Sequence, residues 1–510
     1  MDSSRQPGLI SHSSRLRISL YFCLVAILCI CLADISITSI NPMLEMQRFF
    51  SAWLKPDTHI ISIAISALIV TIAFALLGVA VAACCGLLLA TQFHRRWLRT
   101  LCASLRSVHE LFWALIFLQC FGLHPLTGLL AIALPYSGVF AKVYAEILEE
   151  TSNTPSRVIA ANRSRLTSLL YSRIAQAWPH LVSYTRYRFE CGIRSSAILG
   201  FIGLPTLGYY LEASFSQGYY SEVASLLLLF FALIASIKFW CHKRLLPAWL
   251  IISPWLIFSE HFNPAGNASI QWQNIKRFFT SDIVPAPLRN AEQIWSTDTL
   301  FNLLHWLEKI FSGQILPGLF NTLILTQIAL VLTGVIALLI FPLASRLFIN
   351  SFGRSSGKLL LIIARSTPEY LLAYILLQLW GPSMLPAIVA LSLHNGALIA
   401  HLLAQRSEQM PLRKDACTGF NRYSYEVLPR IYNPFMAILF YRWEVIMRET
   451  AILGILGIHT LGFFVDSAIQ EIRFDVALLL IISAALLNIL VDQLARKLRH
   501  KLHLQHMNRC

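Results

Sequence analysis

Charged side chains are scarce in this chain: they make up 13% of its 510 residues, whereas hydrophobic residues make up 56%. Soluble domains carry roughly 25% charged residues, so this composition excludes an ordinary soluble protein. Long apolar runs dominate instead, which indicates a polytopic membrane protein in contact with lipid. The net charge of +15 then reflects Lys and Arg in cytoplasmic loops, and we expect no nucleic-acid partner.

Motifs that carry chemistry are also scarce. The 11 cysteines lack metal-ligand spacing and lie mostly in apolar runs, so we interpret them as packed free thiols. His109, His394 and His401 are isolated in the sequence, and we interpret them as structural. The segment GRSSGK at 353–358 has one residue too few between its glycines for a P-loop, and Leu359 follows it. The sequence therefore predicts no enzyme, no metal site and no cofactor.

One apolar stretch occurs twice. YRFECGIRSSAILGFIGLPTLG runs from Tyr187 to Gly208, and YRWEVIMRETAILGILGIHTLG runs from Tyr441 to Gly462. The copies share 12 of 22 residues at a constant offset, 441 − 187 = 254. A repeat of this length indicates duplicated domains, which we place at 1–244 and 245–510. The glycines of each copy favour close helix contact or a broken helix lining a cavity.

A second matching pair of segments supports the duplication. RSVHELFWAL begins at Arg106 and RSTPEYLLAY begins at Arg365. The alignment gives Glu110 and Glu369 equivalent positions in the two halves.

The apolar runs predict an all-α fold with about twelve transmembrane helices, since a span needs about 20 residues. Six per half gives two parallel six-helix repeats. Basic clusters then fall on one side, the cytoplasm, where both termini also lie, and a polar segment at about 259–314 lies outside. The predicted spans are 18–40, 59–90, 108–123, 126–147, 187–208, 223–240, 246–258, 316–347, 359–380, 385–403, 441–462 and 476–494.

Each copy of the repeated stretch contains a Glu and an Arg four residues apart, which places both on one helix face. These pairs are Glu190 with Arg194 and Glu444 with Arg448. Ionisable groups are costly inside a membrane, so two interpretations stay open. The pairs are internal ion pairs that fix helices, or the arginines line a substrate path and bind a phosphate-like oxyanion. Glu449 partly neutralises the second of these sites.

The repeated stretches, together with SRIAQAWPHLVSYTRYRFE and FFVDSAIQEIRFD, resemble the permease subunits of binding-protein-dependent ABC importers, above all the phosphonate type. The resemblance implies a type I permease fold in the bacterial cytoplasmic (inner) membrane, with two permease units fused in one chain. It also implies two separate cytoplasmic ATPase subunits and a periplasmic binding protein that delivers a phosphonate, phosphate or phosphite-like anion. As an alternative, ion-coupled secondary transporters can also be six-plus-six parallel repeats.

Polar segments at about 150–180 and 406–430 precede the two repeated stretches. They are either amphipathic linkers that lie on the membrane or docking surfaces for a cytoplasmic partner. In the family that the chain resembles, such a loop carries a glycine and a downstream proline and docks the ATPase. The glycine position corresponds to Asn162 in the first half and Gly419 in the second. The proline corresponds to Pro429, and in the first half only Pro179 lies nearby. We therefore expect the second half to be closer to the family pattern.

Overall fold

The computed structural model describes residues 9–151, 169–241, 245–259, 270–413 and 418–502, and within these ranges the chain is helical with no β-strand. The helices of ten or more residues are α1 (Leu9–Leu32), α2 (Pro42–Ala52), α3 (Ile61–Ala90), α4 (Arg96–Ser107), α5 (Glu110–Phe121), α6 (Pro125–Glu150), α7 (Ala175–Ile198), α8 (Leu207–Ser216), α9 (Tyr220–Trp240), α10 (Leu246–Phe258), α11 (Thr297–Ile310), α12 (Leu316–Ile340), α13 (Ser351–Ser366), α14 (Glu369–Trp380), α15 (Met384–Glu408), α16 (Leu428–Ile455), α17 (Leu461–Gln470) and α18 (Phe474–Lys501).

Six helical segments of the described chain are long and apolar enough to cross a membrane, and three bent helix pairs raise the number to nine. Two shorter apolar helices, Leu16–Leu32 and Leu246–Phe258, add to these. The all-α polytopic fold is confirmed. Within the described residues, the number of full-length spans is smaller than the expected twelve or so, because several predicted spans are short or bent.

One predicted span contains a sharp bend, and another begins at one. The residues predicted as span 359–380 form α13 and α14, which meet at 91°, and α4 meets α5 at 89° just before predicted span 108–123. Pro368 explains the first bend, since a proline disfavours helical backbone at the preceding residue and cannot donate a backbone hydrogen bond. At the second bend, the Nδ1 atom of His109 accepts a hydrogen bond from the Leu111 amide at 3.1 Å and begins α5 there.

The first repeated stretch also breaks, at a bend of 53° between the helix that ends at Ile202 and α8. Gly203 makes the turn with φ +90°, a left-handed conformation that glycine adopts without strain. The two arms cross closely on either side of it: a Cβ on Gly208 would lie 1.9 Å from the Ala197 carbonyl oxygen. In the second copy, a Cβ on Gly462 would lie 2.0 Å from the Ala451 oxygen. The expectation of a close contact at a broken helix is confirmed in both copies.

One compact unit comprises Gln47–Ile283. Helix α3 packs along α6 and α7, while α4 and α5 pack on α6 and α10 packs on α3. Its core includes Phe74, Phe112, Phe140 and Ile193, all fully buried. These side chains form part of the apolar core of this unit.

The other compact unit comprises Met1–Met46 and Val284–Cys510. Helix α12 packs against α15 and α16, α18 packs on α16, and α1 packs on α12. The Gln327 side chain donates a hydrogen bond to the Phe22 carbonyl oxygen at 3.1 Å, and the Phe22 ring contacts Trp443 edge-on. Helix α1 is thus part of this unit.

The compact units do not follow the expected halves 1–244 and 245–510. Helix α1 precedes residue 244 but packs with the second half of the chain, and α10 follows residue 244 but packs with the first. The boundary at residue 244 describes the duplication of the sequence and stays a prediction in that sense.

Candidate functional site

A polar cluster lies among the apolar helices of the unit Gln47–Ile283. The Ser195 hydroxyl on α7 donates a hydrogen bond to Glu110 Oε1 at 2.7 Å. It lies 2.9 Å from the Tyr136 hydroxyl on α6. The Arg188 guanidinium lies over the Tyr136 ring, 4.9 Å from its centroid, as a cation–π contact. We call Glu110, Tyr136, Arg188 and Ser195 the first polar cluster.

A second polar cluster lies in the other unit and has different chemistry. The Asn395 Nδ2 atom on α15 donates a hydrogen bond to Glu449 Oε2 at 3.0 Å. Arg442 Nη1 donates to Asn395 Oδ1 at 3.3 Å. His394 Nε2 lies 3.8 Å from Glu369 Oε2, at the start of α14. We call Glu369, His394, Asn395, Arg442 and Glu449 the second polar cluster.

The two clusters occupy equivalent positions. On α7 and α16 the offset is that of the repeated stretch, 442 − 188 = 449 − 195 = 254. On the preceding helices the offset is 369 − 110 = 395 − 136 = 259. Where the first cluster has a serine and a tyrosine, the second has a carboxylate and an amide. The second cluster therefore holds one more ionisable carboxylate at the shared position.

The structure brings only one of the five predicted path residues into these clusters, namely Glu449. Glu190, Arg194, Glu444 and Arg448 are half-buried on the same helices. Their role in a substrate path stays a prediction.

The neighbours of two of these path residues are defined. Arg194 donates to Cys191 Sγ at 3.5 Å. Glu444 attracts Arg499 on α18 electrostatically. The attraction to Arg499 favours a role for Glu444 in holding α16 to α18.

Sequence reasoning missed part of the second cluster. His394 is isolated in the sequence, but the fold places it beside Glu369. Its interpretation as a structural residue stays a prediction. Arg442 was overlooked although it is buried and belongs to the repeated stretch, where Arg188 is its counterpart. The identical Tyr-Arg pair that opens both copies was the available signal. Asn395 had no such signal, because its counterpart in the first half is a different residue, Tyr136.

The polar segment before α16 has a defined structure from residue 418 onward. Gly419 begins it with φ +63°. The Glu426 carboxylate is buried and lies 2.7 Å from Arg430 Nη2. The Tyr423 hydroxyl donates to the Leu338 carbonyl oxygen at 3.1 Å, and burial raises its pKa. These contacts hold the segment against its own unit.

The residues expected in docking loops differ in their surroundings. Pro429 lies in the first turn of α16, where a proline is well tolerated, and Pro179 lies inside α7. Asn162 lies outside the described residues. In the segment before α16, Phe420 and Tyr425 are 79% and 82% exposed. Two large aromatic side chains therefore face outward from an anchored segment.

Part of the chain matches the model of a known protein family. The family model of the binding-protein-dependent transport system inner membrane component matches residues 336–503, from α12 to the end of α18. The matched region contains the whole second polar cluster and the segment before α16. No solved structure matches the chain.

Curated relatives extend the comparison. The phosphate-import permease protein PhnE of Mycolicibacterium smegmatis is 23% identical over 419 residues, which cover 78% of this chain and 76% of that protein. The phosphite transport system permease protein PtxC of Stutzerimonas stutzeri is 29% identical over 195 residues, 36% of this chain and 67% of that protein. The putative cryptic phosphonate transport system permease protein PhnE2 of Escherichia coli (strain K12) is 28% identical over 112 residues, 22% of this chain and 92% of that protein.

The matched helices and the polytopic fold define a transport permease rather than an enzyme. The chain is a permease of the binding-protein-dependent ABC importer class, and the relatives that it matches are phosphate, phosphite and phosphonate transport permeases. The match of 419 residues is longer than either half of the chain, so it extends across the duplication.

Proposed function

We propose that this chain forms the transmembrane path of a bacterial ABC importer for a small phosphorus-containing oxyanion of the phosphonate, phosphate or phosphite class. The proposal rests on the 419-residue match to a phosphate-import permease, because a match of that length extends into both halves of the chain. Shorter matches to phosphite and phosphonate permeases support the same substrate class. The chain lies in the cytoplasmic (inner) membrane with both termini in the cytoplasm.

The partners follow from the same class. Two separate cytoplasmic ATPase subunits power transport, and a periplasmic binding protein delivers the anion. Segment 418–429 docks one ATPase through Phe420 and Tyr425, while Gly419 and Pro429 shape the segment. Its anchoring by Glu426 and the exposure of both aromatic residues support this role. Asn162 and Pro179 belong to the corresponding loop of the first half.

The path runs beside the repeated stretches of two parallel six-helix repeats, 1–244 and 245–510. Arg194 and Arg448 contact the oxyanion, since a guanidinium donates two hydrogen bonds to such a group. Glu190, Glu444 and Glu449 flank them and limit how tightly the anion is held. The half-buried positions of all five residues support this arrangement.

Uptake by vesicles tests the proposal. The chain is reconstituted in vesicles with its ATPase subunits and binding protein. Uptake of labelled phosphate, phosphite and methylphosphonate is measured with and without ATP on the side of the membrane where the ATPase subunits lie. ATP-dependent uptake of at least one anion is expected. Uptake that an ion gradient drives without ATPase subunits would establish the alternative, a secondary transporter.

A further inference from the structure

Three side-chain atoms with lone pairs converge in the second polar cluster. One ligand atom each from Glu369, His394 and Glu449 lies within 4.8 Å of the other two. The residues come from α14, α15 and α16, so packing of three helices creates this convergence. His394 is 1% exposed, which keeps bulk water away from its ring.

The ring of His394 has a defined orientation. Its Nδ1 atom lies 2.9 Å from the Thr367 carbonyl oxygen, which can only accept, so Nδ1 donates. In the neutral ring the Nε2 lone pair then faces the Glu369 carboxylate at 3.8 Å. Histidines that bind metals are held in the same way, with the other ring nitrogen donating to a carbonyl or carboxylate.

The Glu449 carboxylate is oriented as well. Asn395 donates to its Oε2 atom at 3.0 Å and to the Leu391 carbonyl oxygen at 3.0 Å, while Arg442 holds the Asn395 oxygen. One carboxylate oxygen of Glu449 is thereby fixed from the side. Such supporting contacts are typical of ligands that have been positioned before an ion binds.

We propose that Glu369, His394 and Glu449 bind one divalent transition-metal ion of the Zn²⁺ or Mn²⁺ type. An imidazole nitrogen with two carboxylate oxygens is a donor set that such ions accept. Bonds of roughly 2.0–2.2 Å would bring the ligand atoms to roughly 3.5 Å apart. The distance of 3.8 Å between His394 and Glu369 needs only a small closure.

Nearby charges are compatible with this site. Arg442 and Arg448 attract Glu449 electrostatically, whereas Glu369 repels it. A guanidinium cannot be a metal ligand because it has no lone pair available, so the arginines compensate charge from outside the ligand set. The ion would cross-link three helices of one unit.

The first polar cluster supplies a control in the same chain. Glu110 is the counterpart of Glu369, but Pro135 and Ser195 stand where the second cluster has His394 and Glu449. Ser195 donates to Glu110 at 2.7 Å, and His109 Nε2 lies 4.0 Å from Glu110 Oε2, so the first cluster has a histidine and one carboxylate but a serine in place of the second carboxylate. The proposal predicts a metal site in the second unit alone.

The test measures metal bound by the full-length chain, purified in lipid nanodiscs without a histidine tag. After equilibration with Zn²⁺ and dialysis, elemental analysis should give one Zn²⁺ per chain. His394→Gln and Glu449→Gln should weaken binding at least tenfold, and Asn395→Ala should weaken it by roughly 10–100-fold, as expected for an outer-shell residue. Glu110→Gln should bind as the unmodified chain does.

Two results would overturn the proposal. Equal Zn²⁺ content in His394→Gln and the unmodified chain would show adventitious metal only. A second measurement, binding of Co²⁺ in place of Zn²⁺ by the unmodified chain, does not depend on whether the variants fold. It should give visible ligand-field absorption that excess Zn²⁺ abolishes, and a chain without such absorption has no site of this kind.

Discussion

The two units of this permease share a framework but differ at its polar centre. In both, a threonine side chain accepts a hydrogen bond from the amide that begins the short helix in which the repeated stretch ends. Thr71 accepts from Leu207 at 2.9 Å, and Thr322 accepts from Leu461 at 3.0 Å. Glycines cross at the same place in both units. The duplication has therefore kept the contacts that shape the broken helix.

The polar clusters have not been kept in this way. Around Ser195 the first cluster has a tyrosine and one carboxylate, with Arg188 stacked on the ring. Around Glu449 the second cluster has an amide, a histidine, a second carboxylate and a buried arginine. The two clusters therefore differ in charge at positions that the duplication makes equivalent.

The largest effect is expected at the shared glycines. Gly208→Val and Gly462→Val should each abolish properly folded protein, because a Cβ at either position would lie within 2.0 Å of a backbone oxygen. The yield of monodisperse protein in size-exclusion chromatography measures this. Gly313→Ala is the control, since no heavy atom lies within 4 Å of its added Cβ. Loss in one variant but not the other would break the equivalence of the two frameworks.

The next effect separates the two clusters. Arg442→Met should destabilise the protein by about 3 kcal/mol, because it leaves Asn395 without a hydrogen-bond donor and Glu449 without one of its nearby cations. Arg188→Met should cost about 1 kcal/mol, the value of a cation–π contact. Thermal unfolding in detergent measures both. Equal destabilisation would contradict the difference between the clusters.

A third effect concerns transport. Arg448→Ala should lower uptake about tenfold, equivalent to roughly 1.4 kcal/mol of lost interaction with the anion, while its membrane level stays within about twofold. Arg194→Ala is the matched variant of the first unit, where Ser195 replaces the acidic neighbour. Parallel loss of uptake and membrane level would return Arg448 to a structural role.

The smallest effect should be equal in the two units. Thr71→Val and Thr322→Val each leave a buried backbone amide without its hydrogen-bond acceptor, which lowers stability by about 1–3 kcal/mol. Packing of the added methyl group offsets part of this loss. Hydrogen exchange of the Leu207 and Leu461 amides should accelerate in the corresponding variant only. Exchange that stays slow in either variant would show that another group accepts that hydrogen bond.

The sequence predicted the helical fold and the duplication because long apolar runs and a gapless repeat are local signals. It also indicated either close helix contact or a broken helix at the repeated glycines. Proline at position 368 was a signal for the first bend, but it lies within an apolar run that was predicted as one continuous span. The bend before Glu110 had no comparable signal in the sequence. Nothing local indicated that α1 packs with the second half, since α1 is simply apolar.

The second polar cluster could be predicted only in part. Glu449 stood out because it is an acidic residue in an apolar helix. Its neighbours Glu369 and His394 come from two other helices and are distant in the sequence, so only tertiary packing brings them together. A histidine that is isolated along the chain is not thereby isolated in space.

The most direct test is the source of energy for uptake by the reconstituted chain. With ATPase subunits present, labelled phosphate, phosphite or methylphosphonate should enter only with ATP, and one permease chain should purify with two ATPase subunits. Uptake that follows an ion gradient in vesicles containing this chain alone would contradict the assignment.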